Sequence, residues 1–133
     1  MTAYLRLILL DVRRQLSDPR RWVQGTYCAL RTPDEVIPFW RLGDRSKVNC
    51  FCLATAISLA IDSLKISPGG ETWTEIRSEV ERVLLGIIDE AGKRDGAGKP
   101  YVVVSHFNDA VTTDHQAILW LVDEGLKLFP EAA

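Results

Sequence analysis

The sequence predicts a mainly α fold, or an α+β fold with a minimal sheet, in which about four helices pack around a central buried helix. Two observations support this prediction. Four segments carry the apolar patterns of helices, and only two short segments are rich in β-forming residues. A chain of 133 residues can bury a core of its own, so residues 1–133 are expected to form a single globular domain.

The first predicted helix covers residues 2–17. Its apolar residues follow the i, i+3, i+4, i+7 spacing of a buried stripe, and they are Leu5, Ile8, Leu9, Val12 and Leu16. Pro19 disfavours helical backbone at the residue before it and therefore ends the helix. Tyr4, Leu7 and Leu10 widen the apolar surface beside the stripe, which is our reason to expect a homo-oligomer.

Residues 49–65 predict the central helix. This segment is apolar on nearly all sides, interrupted by the small polar residues Thr55 and Ser58, as expected of a buried helix. Residues 20–48 precede it and are rich in turn-forming residues, so we expect them to be irregular.

Two capping-box signatures mark the last two long helices. Thr72 with Glu75 predicts the start of a helix that runs to about 92, and Thr113 with Gln116 predicts the start of one that runs to about 128. In the last helix, Gly125 is expected to let a neighbouring element approach closely.

Two segments are expected to be extended and to form one short strand pair. They are TYCAL at 26–30 and YVVVS at 101–105, both containing β-forming residues. Asn108 and Asp109 follow the second segment and are expected to form Asx turns. His115, in the first turn of the last helix, is expected to be a neutral surface or cap residue, because a cation there opposes the helix dipole.

The sequence favours a cytoplasmic protein. The N-terminal segment lacks the basic region and cleavage site of a signal peptide, and no apolar run is long enough to span a membrane. The three cysteines are an odd number, which favours reduced thiols.

Charge is distributed unevenly between the two ends of the chain. Residues 1–31 hold six arginines against two aspartates, whereas residues 107–133 are acidic. The basic end could serve nucleic-acid binding, but the net charge of −2 does not favour this function. The preferred interpretation is that two terminal helices of opposite charge lie side by side.

No metal or cofactor is expected. Cys28, Cys50, Cys52 and His106 are residue types that zinc binds, but a single C-x-C pair lacks the paired spacing of structural zinc sites. GAGKP at 96–100 lacks the strand-then-helix context of a phosphate-binding loop. Free cysteine is more often a small buried apolar residue.

A small cysteine hydrolase is an alternative that the sequence leaves open. It would use Cys52 at a helix start as nucleophile, His106 as base, and Gln24 and Asn108 as assisting residues. The hypothesis requires a partly exposed thiol with a lowered pKa. On an extended segment, His106 and Asn108 would point to the same side.

Three segments resemble a small domain family of unknown function that is found in bacteria and phages. They are WVQGTY at 22–27, CLATA at 52–56 and FNDAVTTDHQAILWLV at 107–122. The positions that fit the family's motifs are Trp22, Gln24, Gly25, Tyr27, Cys52, Ala56, Asn108 and Asp109. Phe107 stands where the family usually has tryptophan, Thr55 where it usually has glycine, and His106 lies outside the motifs. The resemblance implies a compact cytosolic domain and no particular activity.

The sequence therefore favours a non-enzymatic domain that acts through contact with a protein or a small ligand. The residues expected to form a polar cluster, either structural or lining a pocket, are Trp22, Gln24, Tyr27, Phe107, Asn108 and Asp109. They would tie the loop at 20–27 to the segment at 106–112 around the central helix.

Overall fold

Helices form most of the structure, a computed structural model that describes residues 2–64 and 70–131. Within these residues the helices are α1 (Thr2–Gln15), α2 (Leu53–Leu64), α3 (Trp73–Glu90), α4 (Val104–Asp109) and α5 (His115–Leu128). The strands are β1 (Cys28–Arg31), β2 (Val36–Pro38) and β3 (Cys50–Phe51). The prediction of a mainly α fold with a minimal sheet is confirmed.

The central position predicted for the second helix is also confirmed. α2 packs against α1, α3 and α4, and α5 covers α1 and α3. Its inward residues are all buried, namely Leu53, Ala54, Ala56, Ile57, Ala60 and Ile61. The predicted stripe of α1 is buried against it, whereas Leu7 and Leu10 remain 53% and 41% exposed. Tyr4 belongs to the core at 2% exposure, so it does not contribute to that outer surface.

Two local predictions about the long helices are confirmed. Thr72 is the N-cap of α3, and its hydroxyl accepts the backbone N–H of Glu75 at 3.2 Å. Gly125 lies where α5 meets its neighbours. A Cβ at this position would be 3.0 Å from Leu9 Cδ1 and 3.5 Å from Leu84 Cδ2, so the absence of a side chain allows the close approach.

The sheet differs from the predicted strand pair. Its order is β2-β1-β3, and both pairings are antiparallel. β1 lies within the predicted strand segment 26–30 apart from its last residue, but residues 101–105 form no strand. Both edges of β1 are occupied by strands that are close to it in sequence, so no edge remains for the 101–105 segment.

α4 is an α-helix that the sequence did not predict. Val103 is extended, and helical backbone begins at Val104, whose N–H donates to Glu81 Oε2 of α3 at 3.0 Å. Val104 and Phe107 are buried in the core. The β-forming residues of YVVVS therefore lead into a helix. A carboxylate of α3 accepts the first free N–H of this helix, and its apolar side chains are buried in the core.

Three predicted helix boundaries need correction. α1 ends at Gln15 instead of 17, and α2 begins at Leu53, because residues 50–51 pair with β1 before the helix starts. The predicted end of α2 at 65 lies outside the described residues. α5 is capped by Asp114, whose carboxylate accepts the Ala117 N–H at 2.8 Å, one residue later than the predicted capping box at Thr113.

The oppositely charged terminal helices lie side by side, as the charge pattern predicts. Arg13 of α1 pairs with Asp123 of α5 at 2.9 Å. Arg6 Nη1 donates to the carbonyl oxygen of Phe129 at the end of α5 at 2.8 Å. Across the described part of the chain, no helix has the length and apolar character needed to cross a membrane.

Candidate functional site

A buried asparagine joins three parts of the chain. Asn108 of α4 is fully buried. Its Oδ1 accepts hydrogen bonds from Trp22 Nε1 at 2.7 Å and from the backbone N–H of Leu53 at 3.0 Å. Its Nδ2 donates to the carbonyl of Val23 at 3.0 Å and to Asp109 Oδ1 at 2.9 Å. A side-chain amide offers two donor hydrogens and two main acceptor directions, so its hydrogen-bonding capacity is filled.

Two further residues tie the loop at 22–25 to α4 and the residues after it. Gln24 Nε2 shares its two hydrogens among three carbonyl oxygens: those of Asn108 at 2.9 Å, Ala110 at 3.1 Å and Thr113 at 2.9 Å. The N–H of Gly25 donates to Asp109 Oδ1 at 2.9 Å. Gly25 has a φ of +79°, a backbone conformation that favours glycine.

We call Trp22, Gln24, Asn108 and Asp109, with these partners, the Asn108 network. Through Leu53 it holds the first residue of α2, and through Val23 it holds the loop that leads to β1. The network therefore fixes the relative positions of α2, α4 and the loop. A buried and fully hydrogen-bonded amide is expected to make this arrangement rigid.

His115 supports the same region from α5. Its Nε2 lies 2.6 Å from the carbonyl oxygen of Leu16, and its ring is 6.0 Å from the ring of Trp22. The imidazole therefore links α5 to the end of α1, a contact that the prediction of a neutral surface or cap residue in the first turn of α5 did not include. The Asx turns predicted at Asn108 and Asp109 are wrong, since both residues are helical.

The exposed side of α4 lines a groove. Two cavities, of about 480 and 440 Å³, share Tyr27, Ser105 and His106, and we call them together the His106 groove. A third cavity of about 550 Å³ adjoins it and also contains His106 and Asp109 in its wall. His106 thus stands where three cavities meet, on a helix whose opposite side is anchored by Asn108.

Aromatic rings form much of the wall of the 440 Å³ part, which we call the aromatic cavity. It contains Tyr27, Phe39 and Trp40, with Cys52, His106 and Asp109 among its other residues. The ring of Phe39 lies 6.3 Å from that of Tyr27 and meets Trp40 edge-on at 5.6 Å. Tyr27 and Trp40 are 61% and 60% exposed. Large aromatic side chains left exposed beside a concavity are typical of a binding site.

Opposite charges line the 480 Å³ part, which we call the arginine cavity. Arg77 and Glu81 of α3 form its wall together with Thr55 and Ser58 of α2. Arg77 Nη1 lies 3.7 Å from Glu81 Oε2, beyond hydrogen-bonding distance. Among the described residues this buried nitrogen has no hydrogen-bond partner. The guanidinium therefore has unused donor capacity at the edge of a cavity.

Cys52 lies at the start of α2 and in the wall of the aromatic cavity. Its Sγ accepts the backbone N–H of Thr55 at 3.5 Å and lies 3.4 Å from the Thr55 hydroxyl. The residue is only 3% exposed. Burial raises the pKa of the Cys28 thiol, and repulsion from Cys52 adds to this effect. Burial also raises the pKa of Cys50.

The family model of a family of unknown function (DUF6197) matches residues 2–126. This match covers nearly the whole chain. The chain belongs to this family. The predicted resemblance to a small domain family of unknown function is thereby confirmed. Neither a search of curated proteins nor a search of solved structures found a match to the chain.

In this member of the DUF6197 family, the residues selected from the sequence separate into two groups. Trp22, Gln24, Asn108 and Asp109 come together in the Asn108 network. The other group is Tyr27, which is exposed in the groove where Asp109 also lines the aromatic cavity, and Phe107, which is buried with its ring edge-on to Tyr101 at 5.5 Å.

The hydrolase set is only partly brought together. Cys52 and His106 both line the aromatic cavity. Asn108 uses both ends of its amide, and Gln24 uses its Nε2, to hold parts of the backbone together. The described residues place no group of three or more metal-binding side chains together.

Sequence reasoning missed several residues that line the groove. They are Phe39, Trp40, Arg77, Glu81 and Ser105. No motif could reveal them, because they come from three segments that only the tertiary fold joins. The one usable signal was aromatic: Phe39 and Trp40 are large rings in a loop, where a core role is less expected.

Proposed function

We propose that the domain binds a small organic molecule in the His106 groove. The observation that carries the proposal is the junction of cavities at His106 on a helix that Asn108 anchors from its other side. Binding sites for small molecules are typically preformed concave surfaces with aromatic walls and a few convergent polar groups. The groove has all of these features.

The ligand is expected to contain a flat apolar part. Tyr27, Phe39 and Trp40 offer aromatic rings to the aromatic cavity, and Ser105 and His106 offer polar side chains to it. Stacking on aromatic side chains favours planar rings, and the polar atoms would select among them. We therefore take planar aromatic compounds as the class to test first.

The hydrolase alternative is less well supported. It requires a partly exposed thiol, whereas Cys52 is 3% exposed. Nucleic-acid binding is also less well supported. The cavity lined by Arg20, Arg21 and Arg31 uses two of these side chains internally: Arg20 pairs with Asp18, and Arg31 donates to the carbonyls of Arg20 and Trp22. A cytosolic location is part of the proposal, supported by three free cysteines.

Titration of the ¹⁵N-labelled protein with indole tests the proposal. We expect saturable shifts in the amide signals of Tyr27, Ser105 and His106. Trp40→Ala should weaken binding by about fivefold, which corresponds to the loss of one aromatic contact. Trp73→Ala is the matched control, because Trp73 is also an exposed tryptophan at 44%, bonds to Asp62, and is not among the residues that line the groove.

Two results would contradict the proposal. One is the absence of saturable shifts at the groove with indole and with a panel of similar planar rings. The other is an equal loss of affinity in the two tryptophan variants, which would indicate nonspecific binding to exposed aromatic surface.

A further inference from the structure

We propose that the arginine cavity binds a carboxylate group of the ligand through Arg77. This inference rests on the proposed function and adds the chemical class of the ligand: a planar ring that carries a short carboxylate arm. The ring would occupy the aromatic cavity, and the arm would reach Arg77 past Tyr27, Ser105 and His106, which the two cavities share.

Arg77 has a buried nitrogen that forms no hydrogen bond with the described residues. Its side chain is only 18% exposed, yet Nη1 lies 3.7 Å from Glu81 and has no hydrogen-bond partner among the described residues. A buried guanidinium nitrogen without a hydrogen bond is costly. A ligand group that accepts hydrogen bonds from the planar fork of arginine would remove this cost, and a carboxylate has the matching geometry.

Glu81 is held by a hydrogen bond to the start of α4. Its Oε2 accepts the Val104 N–H at 3.0 Å, so part of its role is to start α4. The carboxylate is therefore held in place by the fold, and at 3.7 Å it forms an ion pair with Arg77 Nη1 but no hydrogen bond. Glu81 therefore leaves Arg77 Nη1 without a hydrogen-bond acceptor, at a side chain that lines the cavity.

The electrostatic potential of the arginine cavity favours a group with a single negative charge. The cavity borders Ala54 and Thr55 in the first turn of α2, where the helix dipole is positive. The negative charge of Glu81 offsets part of the positive charge of Arg77. A group with one negative charge suits this balance better than a phosphate, which carries nearly two.

A matched series of probes separates this inference from the proposed function. The acids are indole-3-carboxylate, indole-3-acetate, indole-3-propionate and indole-3-butyrate, and each is compared with its neutral primary amide by isothermal titration or by NMR. We expect the acid of best-fitting length to bind about tenfold more tightly than its amide, as for a charge-assisted hydrogen bond.

Three variants on α3 sharpen the test. Arg77→Gln should reduce the affinity of the best acid to that of its amide and leave the amide unaffected. Glu81→Gln keeps an acceptor for Val104 and removes the competing negative charge, so it should raise the affinity of the acid about threefold. Arg82→Gln is the control, because Arg82 is exposed and pairs with Glu79 on the outer side of the same helix.

The outcomes distinguish the two levels of the proposal. If the amides bind at the groove but no acid binds more tightly, the carboxylate site is overturned and the proposed function stands. If neither acids nor amides bind, the proposed function fails and the carboxylate site fails with it. A loss of acid binding in Arg82→Gln equal to that in Arg77→Gln would show general charge attraction and would overturn the site.

Discussion

The two sides of α4 differ in how they use their polar side chains. On the buried side, Asn108 forms four hydrogen bonds and has no further capacity. On the exposed side, Ser105 and His106 line cavities, and nearby Arg77 holds a buried nitrogen without a hydrogen-bond partner in the described chain. The two sides lie on a helix of only six residues.

The difference separates the polar residues that build the fold from those that remain available to a ligand. A side chain whose donors and acceptors are all used inside the protein cannot also bind a substrate without breaking the structure. One with unused capacity at a cavity can. By this criterion Asn108 is structural, Gln24 uses its donor nitrogen but not its acceptor oxygen inside the protein, and the less conspicuous His106 and Arg77 are the functional candidates.

Asn108→Ala should remove the hydrogen bonds on the buried side of α4 and destabilise the fold. We expect a loss of about 3–4 kcal/mol in the free energy of unfolding, because two donors and two acceptors lose their partner and part of them stays buried. His106→Ala on the exposed side should change it by about 0.5 kcal/mol or less. Urea unfolding followed by tryptophan fluorescence measures both. Similar losses in the two variants would contradict the division of α4 into a structural and an available side.

Gln24→Ala should have a smaller effect, of about 1 kcal/mol, because the residue is exposed and water can replace part of its three hydrogen bonds. The same urea experiment measures it, with Gln116→Ala as the control, since Gln116 is exposed in α5. The hydrolase hypothesis expects the opposite pattern, a loss of activity without a loss of stability. That pattern would return Gln24 to the list of functional residues.

The sequence was sufficient for the helical core because the information is local there. The stripe of α1, the cap at Thr72 and the close approach at Gly125 follow from spacing and residue type alone. The error at 101–105 shows the limit. Its valines favour a strand, but whether a strand edge is free and whether Glu81 can cap a helix there depend on distant residues.

The groove lies beyond local information for the same reason. His106 could be selected as a titratable residue, but Trp40, Arg77 and Glu81 are brought to it by folding. The sequence predicted that Asn108 ties two loops together, but it placed the residue in an Asx turn. Its helical position and its bond to the start of α2 required the tertiary structure.

The reactivity of the thiols tests the two sides of α4 with the smallest expected effect. We expect iodoacetamide to label Cys28, Cys50 and Cys52 slowly at pH 7 in the native protein, with mass spectrometry locating the label. Cys52 and Cys50 are buried, and the pKa of Cys28 is raised above its usual value of 9.0 mainly by burial. Labelling of Cys28 should therefore accelerate only in more alkaline solution, whereas urea-unfolded protein should label fast at all three positions.

The raised pKa of Cys28 also fixes the sign of a stability effect. A group whose pKa is higher in the folded state contributes stability that is fully present below the unfolded pKa and is lost as the pH rises through the folded pKa. Cys28→Ala should therefore weaken the fall in stability that begins as the pH rises through the pKa of an unfolded cysteine thiol. Fast labelling of Cys52 at pH 7 would show that the aromatic cavity contains a reactive thiol beside His106. The hydrolase hypothesis would then take precedence over ligand binding.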